Sequence, residues 1–395
     1  MENIKFIRDS LYGNIKVEGI ILELLETAEL QRLHGIKQLG FTYLVYPGAN
    51  HTRFEHSLGT AFIADKICEA LGIEKEEVVV ASLLHDVGHG PFSHTLENIL
   101  HERTGKNHVD IGKDIILGRK ILSEHKNVAE VLEKYGIDNK EIVEILNGKK
   151  EYNSEIIHGS LDADQIDYLM RDAYYTGVAY GVIDSDRLIQ TMKLYDGKIV
   201  FEKKGISALE SLLVARALMY SSVYLHKTVR IAELMLVKAI KKIDFDFSLL
   251  NDCELIEKLK NSGEYQKDIV SRLKYRKLFK KAFAKSFDEL NEKERGILAE
   301  VNISDVEEEI ARKVGIDDGY IIVDIPGKDI LLSEPRIRKV DIKVIDDGKV
   351  KNLGELTPLA NALQARGITD WAIMVCCPEE YRREVEKYSN KIIFG

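Results

Sequence analysis

The 395-residue chain lacks the features of a secreted or membrane-spanning protein. Its only four cysteines, Cys68, Cys253, Cys376 and Cys377, have the spacing of neither a disulfide framework nor a metal-binding set. The sequence shows no signal-peptide pattern, and no apolar run approaches the length that spans a bilayer. Internal repeats and low-complexity linkers are missing as well. We therefore expect reduced thiols, a cytoplasmic location and no membrane partner.

Positive charge is also in short supply, because 56 basic residues face 65 acidic ones and the net charge is −9. This balance argues against a nucleic-acid surface that covers the whole molecule, so we expect no nucleic-acid partner. It does not exclude a local basic pocket, which is all that nucleotide phosphates need. The length predicts a large core and two domains, which we place at residues 1–243 and 244–395.

The densest chemistry lies in residues 81–97, ASLLHDVGHGPFSHTLE. Residues 75–87 begin with acidic side chains and become apolar, which predicts a buried helix that ends at His85 and Asp86. His89, His94 and Glu97 follow, so three histidines and two carboxylates fall within thirteen positions. Imidazole and carboxylate are ligands of divalent first-row metals. The adjacent pair alone cannot complete a coordination shell, and a polar helix end would explain it equally well.

Two further segments supply the missing ligand types. HTRFEHSLG (51–59) contains His56, and Arg53 precedes it by three residues, where a guanidinium suits either a substrate phosphate or a surface ion pair. LDADQIDYLMRD (161–172) contains Asp164, Tyr168 and Asp172 at every fourth position, which predicts that they share one helix face.

The segment PFSHTLENIL predicts a helix with Pro91 in its first turn. His94 and Glu97 are three residues apart, so they would share a face of this helix. A carboxylate beside an imidazole raises the pKa of the imidazole and orients it. We therefore assign His94 as a general acid that Glu97 orients.

These motifs, FEHSLG, HDxGHGPFSH and DxxDYLxRD, resemble those of the HD-domain metal-dependent phosphohydrolases. The resemblance is closest to the branch that hydrolyses deoxynucleoside triphosphates to deoxynucleoside and triphosphate, and it extends from about Ile7 to about Leu236. It implies one divalent ion, either Mn, Fe, Ni, Zn or Mg, that is held by His56, His85, Asp86 and Asp164. Together with the local patterns it predicts a mainly α fold, with an HD-domain helical core, a small β-hairpin and a smaller α+β C-terminal lobe.

The resemblance also implies roles for substrate-binding residues. Gln38 and Asp172 would bind the sugar, Tyr168 would border the phosphate or sugar, and His89 would lie near the phosphates. Arg216 would reach the terminal phosphate, and Tyr224 would lie near the base or sugar. Arg216, Tyr220, Tyr224 and Lys227 would share one face of a single long helix, so Lys227 is also a candidate contact. His108 matches a further pocket histidine, for which His101 is the alternative.

Two positions depart from the pattern of the family. Gln165 stands where the triphosphohydrolases often have a lysine that meets phosphate. Glu26 and His34 replace an Asp and an Arg that recognise an activating guanine nucleotide in vertebrate members, and a histidine cannot supply the arginine fork. The resemblance still implies a nucleotide substrate, allows a nucleotide activator, and predicts a homo-oligomer that is a dimer or larger.

Local patterns predict the remaining elements. They predict an extended N-terminal arm, a helix over residues 20–38 that Gln38 closes, a cap at Ser160, and a basic helical segment from Arg272 to Lys285. They also predict β-hairpins at Asp196-Gly197 and Asp347-Gly348 and strands within residues 319–327, 336–353 and 368–377.

Three functions other than triphosphohydrolysis are compatible with the sequence. A phosphohydrolase acting on monophosphates or on an alarmone would keep the metal ligands without needing Gln38, Asp172 and Tyr224 around a deoxysugar. A nucleotide-binding regulator would show no turnover with any metal. Nucleic-acid binding or cleavage would appear as salt-sensitive affinity for single strands.

Overall fold

Helices make up most of the protein in the computed structural model, which describes residues 4–123, 125–326, 341–364 and 371–395. The described residues form two compact units, the first within residues 1–220, 246–253 and 336–366 and the second within 221–245, 254–335 and 367–395. The predicted mainly α fold with small sheets is confirmed. Both units are discontinuous along the chain. Our division of the chain into two domains after residue 243 stays a prediction.

The helices of the first unit include those that carry the predicted metal ligands. In chain order they are α1 (Gly19–Leu25), α2 (Ala28–Arg32), α3 (Arg53–Leu71), α4 (Glu76–Leu84), α5 (Ser93–Thr104), α6 (His108–Ile116), α7 (Val128–Lys134), α8 (Asn139–Leu146), α9 (Glu151–His158), α10 (Ala163–Thr176), α11 (Ser185–Thr191), α12 (Ile206–Met219), α18 (Leu353–Leu356) and α19 (Pro358–Gln364).

Local sequence explains where the central helices begin. The side chain of Thr52 accepts a hydrogen bond from the backbone N–H of Glu55, and Glu55 accepts one from the backbone N–H of Thr52 at 2.7 Å, which fixes the start of α3. Asp162 caps the start of α10, and its carboxylate accepts from the backbone N–H of Gln165 at 2.8 Å. The predicted cap at Ser160 was therefore wrong by two residues.

Two predicted long helices are interrupted. Residues 20–38 form α1 and α2, because Thr27 adopts an extended conformation and its hydroxyl donates to the carbonyl of Leu24 at 2.7 Å. Gln38 therefore lies in the segment after these helices and does not end one. The second prediction fails after α12, where Tyr220–Tyr224 forms a π-helical turn and His226 caps a new helix. The argument that placed Lys227 on one face with Arg216 is thereby lost.

The short strands of the first unit form two sheets. The N-terminal arm is extended as predicted, and it is a hairpin of β1 (Lys5–Asp9) and β2 (Gly13–Val17). Both predicted hairpins are present, at Asp196-Gly197 between β3 (Met192–Tyr195) and β4 (Lys198–Glu202), and at Asp347-Gly348 between β7 (Lys343–Asp346) and β8 (Lys349–Asn352). Positive φ at both central residues of each turn is the geometry that favours Asp-Gly. Strand β4 pairs in parallel with β7, which joins the hairpins in one four-stranded sheet.

The second unit contains a three-stranded sheet in the order β5 (Lys280–Lys285), β9 (Ile373–Cys377), β6 (Ile322–Asp324). Its helices are α13 (Lys227–Lys241), α14 (Asp252–Lys260, of which the first two residues cluster with the first unit), α15 (Glu264–Lys274), α16 (Glu292–Glu300), α17 (Ile303–Val314) and α20 (Arg382–Phe394). The basic segment 272–285 was predicted as helix, but its second half is the strand β5, which pairs antiparallel with β9. Residues 327, 336–340 and 368–370 of the predicted strands lie outside the described residues.

One helical stretch, Lys203–Tyr224, is long and apolar enough to cross a membrane by length and composition alone. This helical stretch contradicts our expectation that no apolar segment approaches the length that spans a bilayer. Half of its most apolar window is buried inside the protein, as in the core helix of a globular protein, so it is weak evidence for a membrane span.

Candidate active site

Helices α3 and α10 and the residues that directly follow α4 carry the predicted metal ligands, and all of them belong to the first unit. Nε2 of His56 lies 3.1 Å from Oδ1 of Asp164 and 3.8 Å from Oδ2 of Asp86. Nε2 of His85 lies 3.2 Å from Oδ1 of Asp86 and 3.8 Å from Oδ1 of Asp164. His56, His85 and Asp164 each offer a ligand atom within 4.8 Å of the others. Three of the four predicted ligands thus form one group that could hold a metal ion, and Asp86 adjoins both of its histidines.

The second nitrogen of each imidazole shows which atom faces this point. Nδ1 of His56 donates to Oδ2 of Asp167 at 2.8 Å, and Nδ1 of His85 donates to the carbonyl of Ser82 at 2.8 Å. In the neutral imidazole each Nε2 then has the lone pair, and Nε2 of His85 is buried without a hydrogen-bond partner. Two imidazole lone pairs and two carboxylates converge, which is a donor set that a divalent cation fits.

The electrostatics at this point also favour positive charge. Burial alone would lower the pKa of His56, but the carboxylates of Asp164 and Asp167 outweigh it and raise the pKa to about 10. Burial would likewise raise the pKa of Asp86, yet His85, Arg53 and His89 hold that pKa well below its usual range. A bound metal ion would replace the proton that these carboxylates otherwise stabilise on His56.

Arg53 is buried and already has two partners. Its Nη1 forms an ion pair with Oδ2 of Asp86, and its Nε donates to Oγ of Ser93 at 2.7 Å. Its Nη2 is buried and has no partner. The arginine therefore holds a metal ligand in place and keeps one donor for a substrate oxygen, and it is not the surface ion pair that was the alternative.

A second group of potential ligands, His89, Glu97 and His108, adjoins the first. Nε2 of His89 lies 3.2 Å from Oδ1 of Asp86, and its ring stacks on that of His108 at 3.9 Å. Oε1 of Glu97 accepts from both the backbone N–H and Nδ1 of His108, each at 2.9 Å. Glu97 therefore orients His108, which sequence reasoning did not predict.

His94 is exposed on α5, with its ring 5.6 Å from that of His89. Burial would raise the pKa of Glu97, but the hydrogen bond from His108 and the nearby His94 lower it. The orientation of His94 by Glu97 stays a prediction. Burial also holds the pKa of His89 well below its usual range, which disfavours its charged form. Its Nδ1 is buried without a partner. His101 is exposed in the last turn of α5, which favours His108 as the further pocket histidine.

Comparison with known proteins places this geometry in a family. The HD domain model matches residues 53–172, and the HD associated region model matches residues 183–394, which is more than half of the chain. A Methanocaldococcus jannaschii protein described as uncharacterized is 39% identical over 98% of this chain and 82% of its own length. The chain belongs to the HD-domain phosphohydrolases.

Two further relatives bear on this family. A Dictyostelium discoideum protein named deoxynucleoside triphosphate triphosphohydrolase SAMHD1 homolog is 32% identical over 61% of this chain, which spans 49% of that relative. A crystal structure titled as a phosphohydrolase from Bacteroides thetaiotaomicron is 26% identical with a TM-score of 0.73, over 95% of this chain and all of the other. The HD-domain resemblance inferred from the motifs is thus confirmed.

In this HD-domain protein the two predicted sugar ligands are linked by a histidine that we did not predict. The backbone N–H of Gln38 donates to the carbonyl of His51 at 3.0 Å, and Nε2 of His51 donates to Oδ1 of Asp172 at 2.7 Å. Nδ1 of His51 and Oε1 of Gln38 are both buried without partners. These two atoms are acceptors, so this part of the site can accept a hydrogen bond from a hydroxyl group.

Gln165, which stands in place of a lysine, is buried against Arg216. Its Oε1 accepts from Nη1 of Arg216 at 3.4 Å, while its Nε2 is buried without a partner. The amide can therefore offer a neutral donor where the family offers a charged one. Tyr168 is half-buried on α10, one turn from both Asp164 and Asp172.

Tyr224 and Lys227 belong to the second compact unit, in the π-helical turn and at the first position of α13. Lys227 is exposed and Tyr224 is half-buried. Both remain predicted substrate contacts.

The residues at the activator positions of the family are otherwise engaged. Glu26 forms ion pairs with Lys5 at 2.9 Å and Lys126 at 3.1 Å. His34 stacks on Phe54 with ring centroids 3.7 Å apart, and burial lowers its pKa, so its cationic form is disfavoured. Neither side chain resembles the pair that reads guanine in the vertebrate members.

Proposed function

We propose that this HD-domain phosphohydrolase hydrolyses deoxynucleoside triphosphates to deoxynucleoside and triphosphate. The observation that carries the proposal is the set of buried polar atoms without partners. Six of the ten such atoms among the described residues belong to Gln38, His51, Arg53, His85, His89 and Gln165. Leaving a buried polar group unpaired costs about 1–3 kcal/mol, so these atoms on the predicted site residues suit the binding of a polar ligand.

The unpaired atoms divide by chemistry in the way such a substrate requires. Nη2 of Arg53 and Nε2 of Gln165 are donors, which suit phosphate oxygens. Oε1 of Gln38 and Nδ1 of His51 are acceptors beside the carboxylate of Asp172, which suit a sugar hydroxyl. A substrate with a phosphate chain at one end and a hydroxylated sugar at the other would satisfy both sets.

The roles of the residues follow from these contacts. His56, His85, Asp86 and Asp164 would hold one divalent ion, which supplies an activated water and polarises a phosphoryl oxygen. Arg53 and Arg216 would neutralise phosphate charge. His94, exposed at the edge of the site, would protonate the departing oxygen, while neutral His89 and the Glu97–His108 pair would contact the phosphates. Tyr168, Tyr224 and Lys227 would complete the substrate contacts.

The proposed binding partners are a nucleotide substrate and further copies of this chain. The relatives named as triphosphohydrolases support a nucleotide substrate, and a homo-oligomer is part of the same proposal. The contacts of Glu26 and His34 argue against guanine activation in the manner of the vertebrate members.

Product analysis tests the reaction. The purified protein is incubated with each of the four deoxynucleoside triphosphates, singly and mixed, with Mn, Mg, Co, Ni or Zn, and the products are separated by ion-exchange chromatography. Deoxynucleoside together with triphosphate is expected. Activity in mixtures alone would show that an activator is needed, and orthophosphate release would redirect the assignment to another phosphoester.

A dideoxynucleotide tests the sugar contacts. Because a hydrogen bond in such a site contributes about 1–3 kcal/mol, removing the 3′-hydroxyl should lower kcat/KM by roughly 5- to 150-fold. The Gln38→Ala variant should show a smaller difference between the two substrates than the wild type. An equal difference in both proteins would show that Gln38 does not contact the 3′-hydroxyl.

A further inference from the structure

A chain of hydrogen bonds links the N-terminal hairpin to a metal-ligand histidine. Nδ1 of His56 donates to Oδ2 of Asp167 at 2.8 Å. The guanidinium of Arg171 donates to both oxygens of Asp167, each at 2.9 Å, and the hydroxyl of Tyr12 donates to Oδ1 at 2.7 Å. Nη1 of Arg171 donates to Oδ2 of Asp9 at 2.8 Å. Two residues of the hairpin thus act on the carboxylate that orients His56.

These groups are buried, so each charged side chain needs a partner of opposite charge or a hydrogen-bond partner. His56, Asp167 and Arg171 are at most 1% exposed, and Asp9 is 6% exposed. Because an unpaired buried charge is costly, the single guanidinium must serve both carboxylates. Asp167 also accepts hydrogen bonds from the N–H of His56 and the hydroxyl of Tyr12.

The hairpin is built to hold Asp9 and Tyr12 in these positions. Oδ1 of Asp9 accepts from the backbone N–H groups of Leu11 and Tyr12 at 2.8 and 3.0 Å, so one carboxylate oxygen closes the turn while the other meets Arg171. Gly13 has a φ of +77°, which lets the turn enter β2. The ring of Tyr12 stacks on Phe62 of α3 with centroids 4.8 Å apart.

The helix that carries His56 makes room for this arrangement. Gly59 lies one turn after His56 on α3, and a Cβ at this position would collide with Oδ1 of Asp167 and Nη2 of Arg171. The carboxylate can therefore approach His56 only because residue 59 has no side chain.

We infer that the hairpin Lys5–Val17 is a positioning element of the metal centre, through which Tyr12 and Asp9 hold Asp167 against His56. The inference rests on the proposed role of His56 as a metal ligand. Asp167 keeps the proton of His56 on Nδ1 and so presents the Nε2 lone pair to the ion, as outer carboxylates do for ligating histidines. Tyr12 and Asp9 are positioning residues, since neither reaches the ligand atoms.

The test removes single contacts of the hairpin and measures Mn²⁺ affinity by titration with a competing chelator. Tyr12→Phe keeps the stacked ring and loses only the hydroxyl, and Asp9→Asn weakens the pair with Arg171. Loss of an outer contact typically weakens metal binding by about 10- to 100-fold, and the same range is expected for both variants. Arg8→Ala is the matched control, because Arg8 lies in the same hairpin but is exposed, and its side chain donates to Asn14.

A second measurement separates positioning from a loss of folding. Thermal unfolding of metal-free Tyr12→Phe should match the wild type to within a few degrees, and raising the Mn²⁺ concentration should restore its kcat. Wild-type Mn²⁺ affinity in both Tyr12→Phe and Asp9→Asn would overturn the inference. If His85→Ala also kept its Mn²⁺, the proposed metal centre itself would fail, which is a distinguishable result.

Discussion

Asp252 connects two segments of the proposed site, and its substitution should destabilise the protein. Its Oδ2 accepts from the backbone N–H of Lys37 and its Oδ1 from that of Phe92, both at 2.9 Å. Gln38 follows the first of these residues, and His94 lies two positions after the second. Asp252 is only 6% exposed, so water cannot readily replace it.

The magnitude follows from the two donors. Each buried N–H left unpaired costs about 1–3 kcal/mol, so Asp252→Ala should lower the free energy of unfolding by about 2–6 kcal/mol. Phe92 is held at a φ of +46°, a conformation that costs a non-glycine residue about 1–2 kcal/mol. Without its partner this residue should relax and displace the start of α5. Because small misplacements of catalytic groups are costly, kcat should fall by about 10- to 100-fold.

Urea unfolding followed by circular dichroism measures the first effect, and steady-state turnover measures the second. Asp252→Asn keeps one acceptor and should lose about half as much stability as Asp252→Ala. Asp244→Ala is the control, because this carboxylate is exposed and should change stability by no more than about 0.5 kcal/mol. A loss below about 1 kcal/mol in Asp252→Ala would refute the reasoning.

The pH dependence gives an independent check. Burial raises the pKa of Asp252 above its ordinary value of 3.8. The folded protein therefore binds this proton more tightly than the unfolded chain, and the contribution of Asp252 to stability falls as the pH rises from about 3.8 through the raised pKa. Asp252→Asn should remove this part of the slope. An unchanged slope would show that other groups cause it.

Three further perturbations have defined outcomes. His85→Ala or Asp164→Ala should abolish both bound metal, measured by mass spectrometry, and turnover; activity in a metal-free variant would contradict the mechanism. Glu97→Gln should flatten the stability curve below about pH 4.5, because His108 lowers the pKa of Glu97 and its stabilisation is lost as the pH falls through that pKa; an equal acid loss in both proteins would contradict this. Gly88→Ala should lower the melting temperature because its Cβ would collide with the carbonyl of His108, whereas Gly296→Ala, in open space on α16, should be neutral or stabilising; equal effects would refute the packing argument.

The sequence predicted the elements whose signals are local. The Asp-Gly hairpins and the helix that ends at His85 follow from a few adjacent residues, and they are present. The predicted metal ligands were chosen because their residue types and motifs are specific, and three of them lie together. The interruption at Tyr220 could not be predicted, because the apolar pattern of α12 continues through the π-helical turn.

Residues that act through a neighbour were missed for a different reason. His51 and Asp167 lie within the very motifs used to find His56 and Asp164, but their roles depend on contacts across more than a hundred positions of the chain. Asp252 gave no signal at all, since an aspartate at the start of a helix is commonplace. Spacing identifies ligands on one helix, whereas only the three-dimensional contacts identify what orients them.

The parallel pairing of β4 with β7 has a practical consequence for dissecting the protein. Residues 343–352 come late in the chain, yet they complete the sheet that contains the hairpin of β3 and β4. A fragment ending at residue 243 would expose the edge of β4 and delete α18 and α19, and an uncovered strand edge invites aggregation. A fragment of the first unit should therefore keep residues 246–253, which include Asp252, together with β7 and β8, since truncation at residue 243 would remove both segments.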